Sequence, residues 1–293
     1  MKTVRYVVYY LCMATIESLP GKEHADYEKT VLDSLHDAGF EGEPEPELVE
    51  RLDELEEYSK FNEDSRRVRI AVERIMDHLG IKDKGDVTVA TIVHDIGKSG
   101  PKSATKEQQM TVIKLYAAEG LKDPKQSVED AIKGIFPEET EEMLANLRNC
   151  GVDPSENMRA FWDHHATWTY DTLEKWPAGF SKNMRVIAAT HHIDRGINPY
   201  HLSESDVPLQ AKMVGTMEYY VEALQMRILM VADKMEAAMR RAGDNHEQAM
   251  ALTKRLLGPM AEHDEAMALV LAAVGELGKQ GKLFDESAFR AAA

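Results

Sequence analysis

Four separated points along the 293-residue chain carry histidine and aspartate in combinations suited to a metal: His94-Asp95, His165, His191-His192 and Asp233. His94 and Asp95 close the apolar run Val89-Ala90-Thr91-Ile92-Val93. An imidazole and a carboxylate at the buried end of such a run are hard to desolvate unless a cation meets them. A divalent metal answers both, because imidazole nitrogen and carboxylate oxygen suit iron, manganese or zinc. Adjacent residues on a helix diverge by about 100°, so His191 and His192 would serve two neighbouring ions, or one ion and a substrate oxygen. That pair therefore favours a site with more than one metal. By the same geometry only one of His164 and His165 faces inward, and His165 is the choice. Asp233 lies within the apolar stretch Ile228 to Met235, where a carboxylate needs a cation or a metal beside it.

Helices must position these groups. Leu, Met, Ala, Glu, Lys and Arg dominate the long periodic segments, which favours helix over strand almost throughout. Residues 1 to 60 read as an accessory segment: an apolar-aromatic start, a helix from Glu23 to Ala38, an acidic Pro/Gly loop at 41–46 and a helix from Pro46 to Lys60. Residues 61 to 79 place Val68, Val72, Ile75 and Leu79 on one stripe. Asp64 falls one turn before Val68 on that stripe. It is either a metal-site carboxylate or the N-cap of a helix beginning at Ser65. Arg67 would then sit near a phosphate, or on an exposed helix face.

After the central His94-Asp95-Ile96-Gly97-Lys98, Ser99-Gly100-Pro101 breaks the backbone. Residues 105 to 150 read as three helices joined near Asp123-Pro124 and Phe136-Pro137, an insertion beside the site. Trp162, Trp168 and Trp176 suit core packing better than a stacking wall for a base. A helix from Lys182 to Thr190 leads into the histidine pair, and Lys182 and Arg195 supply positive charge nearby. Residues 244 to 293 read as two or three further helices with a frayed Ala-rich tail.

Composition sets limits on function. Hydrophobic content of 43% and charged content of 29% are those of a globular protein. The net charge of −16 argues against a general nucleic-acid-binding surface. It leaves room for a phosphorylated small molecule, since a metal and a few cations reverse the potential within one pocket. Cys12 and Cys150 have no metal-type spacing and make no disulfide framework. Lys2 and Arg5 precede Tyr6 to Ala14, but that run is short and holds three tyrosines, so it reads as a folded first element rather than a signal peptide. No stretch reaches membrane-spanning length. The expected location is cytoplasmic.

The order His94-Asp95, His165, His191, Asp233 resembles the HD superfamily of metal-dependent phosphohydrolases. HDIGK followed by Gly100-Pro101 is similar to the HD-GYP branch, the cyclic di-GMP phosphodiesterases. Asp64-Ser65-Arg66-Arg67-Val68 resembles that branch's His-Ser-x-Arg-Val helix start, with Asp64 in the place of its histidine. The segment from His165 to Leu173, the pair His191-His192, and Asp233 with Glu236-Ala237 continue the likeness. The Gly-Tyr-Pro segment is shortened to Arg195-Gly196-Ile197-Asn198-Pro199-Tyr200. The resemblance implies an all-α HD-domain helical bundle over residues 61–242, with a helical insertion at 110–155 and accessory helices at 1–60 and 243–293. It also implies hydrolysis of a phosphate ester of a nucleotide or cyclic dinucleotide. Two divalent ions (iron or manganese, with zinc, magnesium or nickel as alternatives) would be held by Asp64, His94, Asp95, His165, His191, His192 and Asp233. Asp95 would bridge the ions, and Lys98, Arg67, Lys182 and Arg195 would meet the phosphate. A homodimer is compatible with this. Two alternatives stay open: a mixed-valent di-iron oxygenase on the same scaffold, and a non-catalytic nucleotide-binding signalling protein.

Overall fold

The computed structural model describes residues 24–59, 61–121, 123–197, 202 and 217–285. The expected apolar first element, Asn198 to Tyr200 and the Ala-rich tail lie outside those residues. Among the described residues the fold is all-α, with twelve α-helices and no strand. The first three are α1 (His24–Asp37), α2 (Pro46–Ser59) and α3 (Phe61–His78). Asp64 is therefore inside the first turn of α3, not its cap, because the helix starts three residues earlier at Phe61. There follow α4 (Gly85–Val93), α5 (Lys106–Ala117), α6 (Val128–Ile135), α7 (Thr140–Asn149), α8 (Met158–Leu173), α9 (Lys182–Ala189), α10 (Met217–Arg241), α11 (His246–Ala261) and α12 (Glu265–Lys279). No helix among the described residues is long and apolar enough to cross a membrane.

Local sequence fixes where the helices begin. Side chains of Ser127, Asn157, Ser181, Asn245 and Asp264 each accept a hydrogen bond from the backbone N–H three residues on, starting α6, α8, α9, α11 and α12. Thr105 and Gln108 make a reciprocal capping box at α5. Each such cap satisfies one otherwise orphaned backbone donor, worth about 1 kcal/mol.

Apolar burial divides into two cores. The larger gathers α1 to α4, the C-terminal part of α8, and α9 to α12, with α10 threading its centre. Met226, Met230, Met235 and Met239 fill it. The smaller core belongs to residues 104–168 and includes Val112, Leu115, Ile132, Leu147 and Phe161. Helix α8 belongs to both: Met158, Phe161 and Trp168 pack in the smaller core, Tyr170 and Leu173 in the larger. Trp168 and Trp176 are core residues, as their packing role requires.

One buried cation ties the N-terminal helices to the central motif. Arg51, on α2, is fully buried, and its guanidinium reaches Ser99 Oγ and the Pro101 carbonyl, both at 3.4 Å. The backbone break after the motif is thus held from outside the motif itself.

Candidate metal centre

Helix α4 ends at Val93, so His94 and Asp95 sit at its C-terminal edge, at the bottom of the larger core. The chain then tightens into a 3-10 turn over Ile96–Ser99, which lies directly on α8. Gly97 explains the contact. A Cβ built there would fall 2.0 Å from the His165 carbonyl oxygen and 2.5 Å from the Thr169 backbone nitrogen. Only glycine permits this approach. Thr169 locks it, accepting from Gly97 N at 3.0 Å and donating to the His94 carbonyl at 2.9 Å. His94, Asp95 and His165 are thereby placed by one joint. His191 arrives from the end of α9 and Asp233 from the middle of α10.

The groups converge. His165 Nε2 and His191 Nε2 are 3.1 Å apart and lie 3.3 and 3.4 Å from Asp95 Oδ1. His94 Nε2 is 3.6 Å from Asp95 Oδ2 and 3.7 Å from Asp233 Oδ1. His165, His191 and His192 each offer a ring nitrogen within 4.8 Å of the others. His191 and His192 follow the end of α9, so the helical divergence no longer applies and both rings enter one pocket, centroids 4.0 Å apart.

Three of these rings share one anchor. Nδ1 of His94, His165 and His191 lies 2.8, 2.5 and 2.6 Å from the carbonyl oxygen three residues earlier: Thr91, Trp162 and Ala188. A carbonyl only accepts, so each Nδ1 carries a proton, and in the neutral ring Nε2 then presents a lone pair. Two Nε2 acceptors 3.1 Å apart beside a carboxylate oxygen are reconciled by a proton or a cation between them. Carbonyl-anchored imidazoles are also how metal-binding histidines are oriented. The donor set therefore fits a divalent metal.

Electrostatics agree with that fit. Burial alone would raise Asp95, but Lys98 and His94 hold its carboxyl well below the usual range. Burial pushes His165 down and His191 down to about 3, so both stay neutral and able to ligate. Lys98 Nζ rests 2.5 Å from Asp95 Oδ2 with about a third of its side chain exposed, on the open side of the cluster.

The other expected residues have further partners. Asp64 feels the charge of Lys98 and Asp95, but its carboxylate is held by Arg240 at 2.8 Å. Arg67 pairs with Glu236 at 3.4 Å and Asp244 at 3.0 Å. Lys182 is exposed at the opposite end of α9 from the histidines. Arg195 pairs with Asp163 at 3.0 Å. Sequence reasoning missed Thr169 and Lys234, and gave no role to the buried Glu236, whose carboxyl burial and Asp64 push up to about 7 against Arg240. Lys234 follows Asp233 in an apolar run and was detectable as a second buried charge. No family model, curated protein or solved structure matches the chain.

Proposed function

We propose that this protein is a metal-dependent phosphohydrolase that cleaves a phosphate ester, with a nucleotide or cyclic dinucleotide as the substrate class, acting in the cytoplasm. The observation that carries the reading is the meeting of the Nε2 atoms of His165 and His191 with Asp95 Oδ1, each ring anchored through Nδ1. His94, Asp95, His165, His191 and Asp233 would hold one or two divalent ions, iron or manganese foremost. A metal so held supplies a nucleophilic water at neutral pH and polarises a phosphoryl oxygen. Asp95 has one oxygen toward the histidine pair and the other toward Lys98 and His94, which suits a bridging role. Lys98, about a third exposed, would neutralise charge on the incoming phosphate.

The test is metal analysis of the purified protein together with a hydrolysis screen over cyclic dinucleotides, nucleoside phosphates and bis(p-nitrophenyl) phosphate. His94→Ala and Asp95→Ala are expected to abolish hydrolysis and to lower bound metal. Lys98→Ala should keep its metal and lose roughly 100-fold in turnover, the scale of one lost charge-stabilising contact. Full activity in Asp95→Ala refutes the assignment.

A further inference from the structure

His192 differs from its three neighbours. Their Nδ1 atoms donate to backbone carbonyls, whereas His192 Nδ1 faces Lys234 Nζ at 2.8 Å. We propose that Lys234 excludes His192 from the metal-ligand set and fixes it as the Nε2–H tautomer, which presents a hydrogen-bond donor to a phosphoryl oxygen of the substrate. The substrate half of this inference rests on the hydrolase reading above; the tautomer half stands without it.

The geometry around Lys234 carries the argument. Its ammonium is buried and is positioned to donate to the His191 carbonyl at 2.9 Å, Asp233 Oδ2 at 3.1 Å and His192 Nδ1. Two carboxylates face Lys234: Asp233 at 3.1 Å and Asp194 at 3.8 Å. The Asp194 side chain is 2% exposed, and neither of its oxygens has a hydrogen-bond partner among the described residues. It thus acts on Lys234 through charge. An ammonium has donors only, so His192 Nδ1 must accept. A neutral imidazole has a single ring proton, which then sits on Nε2 and closes that atom to metal. The His192 ring nevertheless stays in the pocket, 4.8 Å from the His165 ring centroid and edge-on to it. Lys234 is accordingly a positioning residue: it converts one histidine of four from ligand to donor.

Nitrogen-15 NMR of the full chain with labelled histidines tests both halves. In metal-free protein, His192 should show a protonated Nε2 and a bare Nδ1, the reverse of His165 and His191. Added zinc should shift Nε2 of His165 and His191 and leave His192 Nε2 protonated. Inorganic phosphate added to the zinc-loaded protein should then move the His192 Nε2–H signal. Lys234→Met should release His192 to the tautomer of its neighbours and, with zinc present, to the ligand signature. Metal titration adds a second readout: His191→Ala should weaken zinc binding at least ~10-fold, and His192→Ala should leave it unchanged. A bare or zinc-bound Nε2 on His192 in the wild-type protein overturns the proposal. No response to phosphate overturns its substrate half. If no imidazole responds to zinc, the hydrolase reading fails, while the metal-free tautomer still decides the role of Lys234. Should Lys234→Met fail to fold, the wild-type spectra decide alone.

Discussion

Helix α10 carries two buried polar clusters six residues apart, and they solve the desolvation problem in opposite ways. At Arg227 the solution is closure. The Asp264 carboxylate receives Arg227 Nε at 2.9 Å and a second guanidinium nitrogen at 2.7 Å on one oxygen, and the Met267 N–H at 2.7 Å on the other. The two charges are balanced within the fold. At Asp233 the solution is open. Carboxylates and imidazole lone pairs face one another, with Lys98 and Lys234 at the margins and acceptors at the centre. A buried ion pair belongs to folding, whereas a converged set of acceptors is suited to receiving a cation.

That contrast can be broken from either side. The largest effect is expected at the closed pair: Asp264→Ala strands a buried guanidinium and removes the cap of α12, destabilising the protein by about 3–5 kcal/mol. Thermal or urea unfolding checks this, and metal affinity should not change with it. At the open cluster the stabilisation should come from outside. Metal at 100 times its dissociation constant adds about 2.7 kcal/mol, and a chelator removes it. His191→Ala should lose that metal-dependent rise in melting temperature, and Arg227 and Asp264 variants should retain it.

The last effect concerns the pH dependence of the metal-free protein. His191, held to about 3 by burial, and His165 and His192, lowered by the same cause, are neutral when folded but gain protons near 6.5 when unfolded. Their contribution is fully present above pH 6.5 and is lost as the pH falls from there toward the folded values. The slope is at most about 1.4 kcal/mol per pH unit for each proton. His94 runs the other way: burial lowers it, but Asp95 and Asp233 raise it overall. Its contribution is therefore present at low pH and fades as the pH rises through the raised value. Urea midpoints between pH 7 and pH 4 should fall without metal and fall further in its presence, because protons then compete with the ion.

Much of the fold was legible because helix signals are local. The stripe Val68-Val72-Ile75 and the Gly100-Pro101 break both act within a few residues of themselves. The convergence of His94, Asp95, His165, His191 and Asp233 was legible as a pattern of rare polar residues in apolar surroundings. What escaped depends on contacts distant in sequence. Asp64 looked equally like a cap or a ligand, and its partner Arg240 lies on another helix. Arg67 read as a phosphate contact or an exposed arginine, and its partners Glu236 and Asp244 are likewise remote in sequence. The divergence of adjacent histidines assumed a continuing helix, and α9 stops at Ala189.

Helix α8 works as a lap joint between the two cores, and His165 is set in its middle. A cation bridging His165 to His191 would pin the smaller core to the larger. Occupancy would then tell on Phe161 and Leu115 as well as on the ligands. The amides of α5 and the first half of α8 should exchange with solvent more slowly once the metal is in place.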